Sequence, residues 1–240
     1  MDMKAEEILY DGCRQMGILI TDKQIEKMME FKKIVLDWNK KMNLTSIKNE
    51  RDFIIKHLLD SISCLTIDEV KNEQKIIDIG TGAGFPSIPL KILLPETELT
   101  LLDSSSKKIG FLEEVCRSLG LEKIEAIHGR AEELGQNRDY RECYDLVLAR
   151  AVAPMNVLVE YCLPFLKVEG HFVCQKGPRL EEEIKTAKIA IDTLGGEVKY
   201  IEKISLPFED LDHKILVIEK VNSSPTKYPR KVGKPTKKPM

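Results

Sequence analysis

From residue 75 onward, short apolar segments alternate with longer amphipathic ones, and this alternation restricts the fold more than any other feature of the chain. It predicts strands and helices in turn, which favours an α/β fold with a doubly wound, mostly parallel sheet. The predicted strands are 75–79, 98–102, 124–128, 145–149 and 171–175, and the predicted helices are 88–94, 107–119, 156–166 and 180–193. Strands 198–204 and 214–219 have no helix between them, so we expect a seven-stranded sheet with an antiparallel edge.

The first 70 residues lack this alternation and predict a helical cap. Apolar residues recur every third or fourth position over 22–42, where Asp22 can cap the helix, and again over 50–65. We therefore expect one structural unit with three parts: a helical cap (1–70), an α/β catalytic domain (71–220) and a tail (221–240).

Cysteine and histidine are too dispersed to predict a metal site. The six cysteines include no C-x-x-C pair, and no cysteine–histidine pair has zinc spacing. No apolar run approaches the roughly 20 residues that span a membrane, and the N-terminus does not resemble a signal peptide. We expect a cytoplasmic protein with reduced thiols and no membrane partner.

The charges of the chain are segregated. The formal net charge is −2, which by itself argues against a nucleic-acid partner. Residues 221–240, however, hold six Lys or Arg, no acid and four of the 11 prolines, so the first 220 residues carry −8. Such a tail cannot fold alone. The tail is either an extension that increases solubility or a segment that binds polyanions.

A glycine-rich turn follows the first predicted strand. Gly80, Gly82 and Gly84 form a G-x-G-x-G pattern, and position 85, where a dinucleotide fingerprint needs a third glycine, is Phe85. Glycines at this place let the backbone approach a ligand closely. The turn therefore predicts a nucleotide-binding site at the carboxyl ends of the strands.

Asp103 ends the second predicted strand, 23 residues after Gly80. A carboxylate there can accept hydrogen bonds from both ribose hydroxyls of a nucleoside. It can also cap the helix that begins near Lys107. We favour the ribose role because both elements lie where one nucleoside would touch them.

Several further motifs stand in a fixed order along the chain. They are N-L-T-S-I at 43–47, H-L-L-D-S at 57–61, G-F-P-S-I-P-L at 84–90, L-D-S-S-S-K-K at 102–108, G-R-A-E-E at 129–133, A-R-A-V-A at 149–153, K-G at 176–177, Y-P-R at 228–230 and G-K-P at 233–235. Together they resemble the ribosomal RNA small subunit methyltransferase G family, also called glucose-inhibited division protein B. These enzymes are class I, S-adenosylmethionine-dependent methyltransferases.

This resemblance implies methylation of N7 of a guanine in 16S ribosomal RNA, guanine 527 of the 530 loop, with S-adenosylmethionine as the donor. The donor contacts of the family correspond here to Gly80, Phe85, the pair Ala131 and Glu132, and Arg150. Two positions depart from the family pattern. They are Ser87, where glycine is frequent, and Lys108, where arginine is frequent and offers bidentate geometry.

Guanine N7 carries a lone pair, so its methylation requires no general base. Orientation of the two reactants is then the main contribution of the enzyme, and it is worth about 7–11 kcal/mol in favourable cases. The chain agrees, because A-R-A-V-A-P stands at 149–154 in place of the N-P-P-aromatic motif of exocyclic amine methylation. We predict no certain catalytic residue, and Arg150 is the candidate for positioning.

Candidate RNA contacts lie beyond the fifth strand and in the tail. Lys176 and Arg179 would lie on the rim of the site, where they could hold phosphate. In the tail the candidates are Lys227, Tyr228, Arg230, Lys231 and Lys234. We expect the tail to order against RNA or to fold back beside the pocket. Truncation before Lys227 should then weaken RNA binding and leave donor affinity nearly intact.

Three other functions compete with this interpretation. They are an NAD-dependent oxidoreductase, a non-catalytic ribosome-assembly factor with a nucleoside pocket, and a class I methyltransferase of proteins or small molecules. Phe85 opposes the first, and the intact glycine turn with Asp103 opposes the second. The family resemblance and the basic tail disfavour the third. The expected partner is the ribosomal RNA or the small subunit, bound by a monomer.

Overall fold

A computed structural model describes residues 3–209 and 212–240. Its centre is a seven-stranded sheet with the order β3-β2-β1-β4-β5-β7-β6. The strands are β1 (Lys75–Ile79), β2 (Glu98–Asp103), β3 (Ile124–His128), β4 (Tyr144–Arg150), β5 (Leu166–Lys176), β6 (Gly196–Ser205) and β7 (Asp212–Lys220). β7 runs antiparallel to β5 and β6, and the other neighbours are parallel. The predicted fold class is confirmed.

The helices surround this sheet and form the region before β1. They are α1 (Ala5–Gln15), α2 (Asp22–Asn39), α3 (Glu50–Phe53), α4 (Asp60–Ile62), α5 (Ser87–Leu93), α6 (Ser106–Ser118), α7 (Ala131–Leu134), α8 (Met155–Cys162), α9 (Leu180–Thr193) and α10 (Lys234–Lys237). A π-helical segment, Ile54–Leu59, joins α3 to α4. None of the helices in the described residues has both the length and the apolar character needed to cross a membrane.

Parallel strand direction gathers the functional elements at one edge of the sheet. β1, β2, β4 and β5 end there at Ile79, Asp103, Arg150 and Lys176, and the antiparallel β7 begins there. Loops at the carboxyl ends of such strands form the usual ligand crevice of an open α/β sheet. The glycine turn and the motifs after β2, β3 and β4 therefore lie along a common edge.

The helical cap covers one face of the sheet. On α2 the apolar stripe includes Met28, Phe31 and Val35, all fully buried in a core shared with the cap, α5 and α6. Trp38 packs edge-on against Phe111 of α6, with ring centroids 5.6 Å apart. The apolar periodicity that predicted this helix therefore supplies the contact between cap and sheet.

The tail packs against the opposite face. Arg141 donates hydrogen bonds to the carbonyl oxygens of Ser224 and Tyr228, each at 2.7 Å. Arg230 forms a two-pronged ion pair with Glu160 of α8, whose side chain is 0% exposed. The tail therefore folds back on the domain, which is one of its two expected conformations.

The prediction that Arg230 binds RNA disagrees with this arrangement. Its guanidinium donates to both carboxylate oxygens of Glu160, at 2.9 and 2.6 Å. A buried carboxylate without a cation is costly, so this arginine is held by the protein. Composition alone could not show this, because Glu160 lies 70 residues earlier in the chain.

Replacement of Arg230 should destabilise the fold strongly. Arg230→Met leaves the Glu160 carboxylate buried with only the backbone N–H of residue 230 as a donor, and we expect a loss of about 3 kcal/mol in the free energy of unfolding. Urea denaturation measures this loss. Lys231→Met is the control, because Lys231 is exposed. Equal stabilities of the two variants would contradict the structural role of the ion pair.

Candidate functional site

The glycine turn after β1 is held against β2. The backbone N–H groups of Gly80 and Thr81 donate to the carbonyl oxygen of Leu102, at 2.8 and 3.1 Å. Gly80 has a φ of +71°, and a Cβ atom there would lie 2.9 Å from Val152. Glycine is therefore required at this position by both conformation and space.

Asp103 joins the end of β2 to the same turn. Its Oδ2 accepts a hydrogen bond from the N–H of Gly82 at 3.0 Å, and its Oδ1 accepts from the N–H of Ser105 at 2.9 Å. Lys108 places its Nζ 3.4 Å from Oδ2. The residue at the N-cap position of α6 is Ser105. Asp103 thus orders the turn and the entry to α6, and its carboxylate borders the cleft described next.

A narrow cleft of about 100 Å³ lies at the ends of β1, β2 and β3. We call it the donor cleft, after the prediction that residues here contact the methyl donor. The sequence-predicted residues that line it are Gly80, Asp103, Ala131 and Glu132. Val152, from the loop after β4, closes one side. The tail reaches the cleft as well, because the N–H of Gly233 donates to Glu132 Oε1 at 3.0 Å. Truncation before Lys227 would remove that hydrogen bond, so it would not test RNA binding separately from donor binding.

Phe85 lies in the core between the cap and the sheet. Its side chain is 5% exposed, and its ring stacks on His57 with centroids 4.5 Å apart and an interplanar angle of 13°. The Arg150 guanidinium carbon is 5.0 Å from the centroid of the Phe85 ring. Cation–π contact and stacking fix the ring in place. Phe85 therefore positions Arg150 beside the glycine turn.

Arg150 belongs to a buried network with the cap and β7. Its guanidinium donates to Asp60 Oδ2 at 2.7 Å and lies 3.2 Å from His57 Nδ1. The other carboxylate oxygen of Asp60 is 3.2 Å from His213 Nδ1. Sequence motifs placed Arg150 in the site, whereas Asp60 and His213 were missed. The H-L-L-D-S motif was the only signal for Asp60, and His213 carried none.

Burial and charge set the protonation of this network. Burial tends to raise the pKa of Asp60, but the hydrogen bond from His213 and the charge of Arg150 outweigh it and hold that pKa below its ordinary value. Burial and then the Arg150 charge lower the pKa of His57 to about 4. The hydrogen bond with Asp60 raises the pKa of His213 in spite of burial. At neutral pH the network therefore contains an ionised Asp60 and a neutral His57.

A second and larger cavity, of about 680 Å³, adjoins the network; we call it the inner cavity. It lies between the cap and the ends of β4 and β5, and its lining includes Asp60, Arg150, Ala151, Gln175 and His213. Ala151 lines the inner cavity, and the next residue, Val152, lines the donor cleft. The loop that follows β4 therefore contributes to both spaces.

Asp78 lies beneath the glycine turn. It is fully buried, its Oδ2 accepts a hydrogen bond from Ser87 at 2.7 Å, and its Oδ1 has no partner among the described residues. Burial raises the pKa of Asp78 to about 7. Serine at position 87, the departure from the family pattern, thus provides the hydroxyl that binds this carboxylate.

Comparison with known proteins identifies the family. The family described as rRNA small subunit methyltransferase G, GidB, matches residues 24–211. The chain belongs to this family. A ribosomal RNA small subunit methyltransferase G of Alkaliphilus oremlandii is 56% identical over 99% of this chain and 100% of its own length. The protein of the same name from Thermoanaerobacter pseudethanolicus is 48% identical over the full length of both chains.

Solved structures with a similar fold are more distant in sequence. The fibrillarin pre-rRNA processing protein of Methanococcus jannaschii has a TM-score of 0.51 and 20% identity, covering 65% of this chain and 70% of its own. TrmN of Thermus thermophilus has a TM-score of 0.52 and 17% identity, covering 68% and 48%. Both likenesses concern the fold alone. The GidB family membership confirms the predicted family and, with it, an rRNA methyltransferase.

The RNA-contact candidates of this GidB family member differ in how free their charges are. Lys176 donates to the Ala153 carbonyl oxygen at 2.9 Å and to Glu183 at 2.7 Å, and its side chain is 10% exposed. The prediction that it holds phosphate therefore disagrees with its burial and pairing. Arg179, Lys227, Lys231 and Lys234 are exposed. Lys227 places its Nζ 5.2 Å from the Tyr228 ring, which is half-buried.

The Asp60–His213 contact should make stability depend on pH. Because the folded-state pKa of His213 is raised, its contribution is full below about pH 6.5 and declines as pH rises through the folded-state value. In His213→Asn the amide can still donate to Asp60 but does not titrate. We expect the stability advantage of the native protein over His213→Asn, measured by urea denaturation, to shrink as pH rises above about 6.5.

His171→Asn is the control for this pH series. The pKa of His171 is lowered, by burial first and then by the charge of Lys199, so its effect on stability ends near pH 6.5. The stability difference between the native protein and this control should stay flat above about pH 7. If the stability difference between the native protein and His213→Asn is also flat above about pH 7, the Asp60 contact does not raise the pKa of His213.

Proposed function

We propose that this protein methylates N7 of one guanine of the small-subunit 16S ribosomal RNA, with S-adenosylmethionine as the donor. The observation that carries the choice of N7 is the state of the acids around the two binding spaces. Asp60 lines the inner cavity, and Asp103 and Glu132 line the donor cleft. Each of them already accepts hydrogen bonds from the protein.

The two histidines of the Arg150 network, His57 and His213, are also unsuited to accept a proton. His57 Nδ1 faces the Arg150 guanidinium, and its Nε2 is 2.7 Å from Thr45 Oγ1. The hydrogen bond with Asp60 raises the pKa of His213 and so favours its protonated form, which has no lone pair left to accept a further proton. Attack by an exocyclic amine or a hydroxyl needs a proton acceptor, whereas attack by N7 needs none. The acids that line these two spaces and the two neighbouring histidines therefore favour N7 as the nucleophile.

The donor cleft has the chemistry that an adenosine requires. The Asp103 carboxylate borders it at the end of β2, where it can accept from ribose hydroxyls, and Ile79, Leu102 and Ala131 supply apolar walls. The Asp78 Oδ1, unpartnered within the described chain, lies beneath the same turn and can accept a hydrogen bond. These residues fit S-adenosylmethionine. The cleft is smaller than most small-molecule sites, so full occupation requires the Val152 loop to move outward.

The protein's own contribution to the reaction is orientation. S-adenosylmethionine supplies an electrophilic methyl carbon on its sulfonium. Arg150 stands where the donor cleft meets the inner cavity and is fixed by Asp60 and by the Phe85 ring. It therefore acts as a positioning residue, and correct placement of the reactants accounts for most of the acceleration. We infer contacts to the donor from Gly80, Gly82, Gly84, Phe85, Asp103, Ala131, Glu132 and Arg150.

The same details bear on the competing functions. In the NAD-binding fingerprint the third glycine permits close packing of helix and strand, and here that position holds the Phe85 ring in the cap core. An inactive assembly factor with the same fold would also need glycine at position 80, so loss of the 7-methylguanosine in cells without the gene is what separates that alternative. We also propose that the protein acts as a monomer on the small ribosomal subunit or its RNA in the cytoplasm.

Mass spectrometry of small-subunit rRNA provides the test. Cells that lack the gene should lack one 7-methylguanosine, and the native gene should restore it. Gly80→Ala should restore less than about a tenth, because the added methyl group meets Val152 and the backbone has a φ of +71°. Gly110→Ala is the matched control, since a Cβ atom there has open space. It should restore methylation fully.

Two results would reject the proposal. Persistence of the 7-methylguanosine in cells without the gene would exclude this enzyme as its source. Full restoration by Gly80→Ala would show that methylation does not require the donor cleft. Calorimetry distinguishes the methyltransferase from the oxidoreductase alternative, because S-adenosylmethionine should bind and NAD should not.

The exposed lysines of the tail should contribute to RNA affinity. We expect the triple variant Lys227→Gln, Lys231→Gln and Lys234→Gln to bind small-subunit rRNA more weakly and with a shallower salt dependence. The slope of log K against log salt should fall by roughly 0.7–0.9 for each phosphate that the variant no longer neutralises. Filter binding over a salt series measures this slope.

A second triple variant is the control for the tail. It consists of Lys185→Gln, Lys188→Gln and Lys203→Gln, because these exposed lysines lie on α9 and β6. It removes the same number of charges and should keep the native salt dependence. Equal slopes for both triple variants would contradict a tail-specific role.

A further inference from the structure

The inner cavity has a size suited to a planar base. Its volume of about 680 Å³ falls within the usual range for small-molecule sites. It opens at the carboxyl edge of the sheet, beside the donor cleft, and the consecutive residues Ala151 and Val152 separate the two. A molecule in the inner cavity would therefore lie next to a molecule in the donor cleft.

Two polar atoms of the inner cavity are buried and have no partner among the described residues. They are Gln175 Oε1 and His213 Nε2. The Gln175 amide nitrogen donates to the Asp60 carbonyl oxygen, which leaves the amide oxygen as a free acceptor. His213 uses its Nδ1 toward Asp60, so its Nε2 is the free atom. Buried polar groups normally find partners, and such exceptions require an explanation.

The strand register places these two side chains on the same face of the sheet as diagonal neighbours. Gln175 of β5 is directly opposite Ile215 of β7 in the antiparallel pair. His213 precedes Ile215 by two residues and therefore projects from the same face of the sheet. Diagonal neighbours of this kind lie about 7–8 Å apart or closer. Both side chains also contact Asp60, so they form one wall of the cavity.

This wall offers one acceptor beside one donor. The Asp60 hydrogen bond raises the pKa of His213 and so favours the protonated ring, in which both nitrogens carry N–H groups. The edge of a guanine has the complementary pattern, with O6 as an acceptor next to the N1–H and N2 amino donors. One donor beside one acceptor suits any purine edge, so the choice of guanine rests on the proposed function.

We propose that the inner cavity binds the target guanine, with Gln175 Oε1 accepting from its N1–H and N2 amino group and His213 Nε2 donating to its O6. Bases in RNA loops can leave the stack and enter such pockets. With its N1–N2 edge held by this wall, the base keeps N7 free toward Arg150 and the donor cleft. Gln175 and His213 are then the residues that select the base.

The test uses small-subunit RNA in which the methylated guanosine is replaced by inosine or by 2-aminopurine riboside. Inosine lacks the N2 amino group, and 2-aminopurine lacks both O6 and N1–H, while all three retain N7. With the native enzyme, kcat/KM should fall at least about tenfold for 2-aminopurine, the effect of roughly one hydrogen bond to a buried partner.

Gln175→Met should lower kcat/KM on guanosine about tenfold and bring the three RNAs to within about threefold of one another. Because Gln175 also binds the Asp60 carbonyl, His213→Asn serves as a second variant, and it should reduce the discrimination against 2-aminopurine alone. His171→Asn is the control on the same face of β5, remote from the cavity. It should keep native discrimination.

The outcomes separate this proposal from the proposed function. If the native enzyme methylates the guanosine RNA but both variants slow all three RNAs by one factor, the base pocket is wrong and the methyltransferase function stands. A loss of about tenfold in S-adenosylmethionine affinity in both variants, measured by calorimetry, would assign the cavity to the donor instead. If the native enzyme methylates none of the RNAs, both proposals fail.

Discussion

The contacts of Asp60 connect the helical cap to the ends of the strands that form the candidate site. It comes from the helical cap, yet its carboxylate binds Arg150 of β4 and His213 of β7, and its backbone carbonyl binds Gln175 of β5. A carboxylate this deeply buried would be destabilising alone. The Arg150 guanidinium and the His213 ring offset that cost, and with the Gln175 contact they fix the orientation of the cap on the sheet.

The same arrangement explains why the site contains little free acid or base. Arg150 is held by Asp60 on one side and by the Phe85 ring on the other, and the Asp103 carboxylate is held by backbone N–H groups. Groups fixed in this way are suited to orienting ligands. A reaction that needs placement rather than proton abstraction suits such a site.

Much of the fold could be predicted because it depends on local patterns. β1 and β3 have the predicted bounds, and the glycine turn lies where the strand–turn–helix pattern put it. The predicted helix at 156–166 was too long: α8 ends at Cys162, because Leu166 already pairs with Tyr144 in the sheet. Helix α1 was missed, since only its packing on the cap distinguishes its apolar face.

The site was harder to predict where its contacts join distant parts of the chain. The donor-cleft residues carry motifs, so Gly80, Asp103, Ala131 and Glu132 could be predicted together, and the structure places them around one cleft. Lys176 and Arg230 were assigned to RNA from charge and position. Only the fold shows that their charges are engaged by Glu183 and Glu160. Pairings across 70 or more residues, such as that of Arg230, leave no local pattern to detect.

The Glu160–Arg230 pair also has a consequence for how the chain matures during translation. α8 is synthesised well before its partner, and Arg230 follows Glu160 by 70 residues. Domains fold largely as units during synthesis, N-terminal parts first. While Arg230 is still in the exit tunnel, the α/β sheet can form, but the Glu160 carboxylate cannot be buried without a counter-charge. This face can therefore close only after residue 230 has left the exit tunnel, at least 70 residues of synthesis after Glu160.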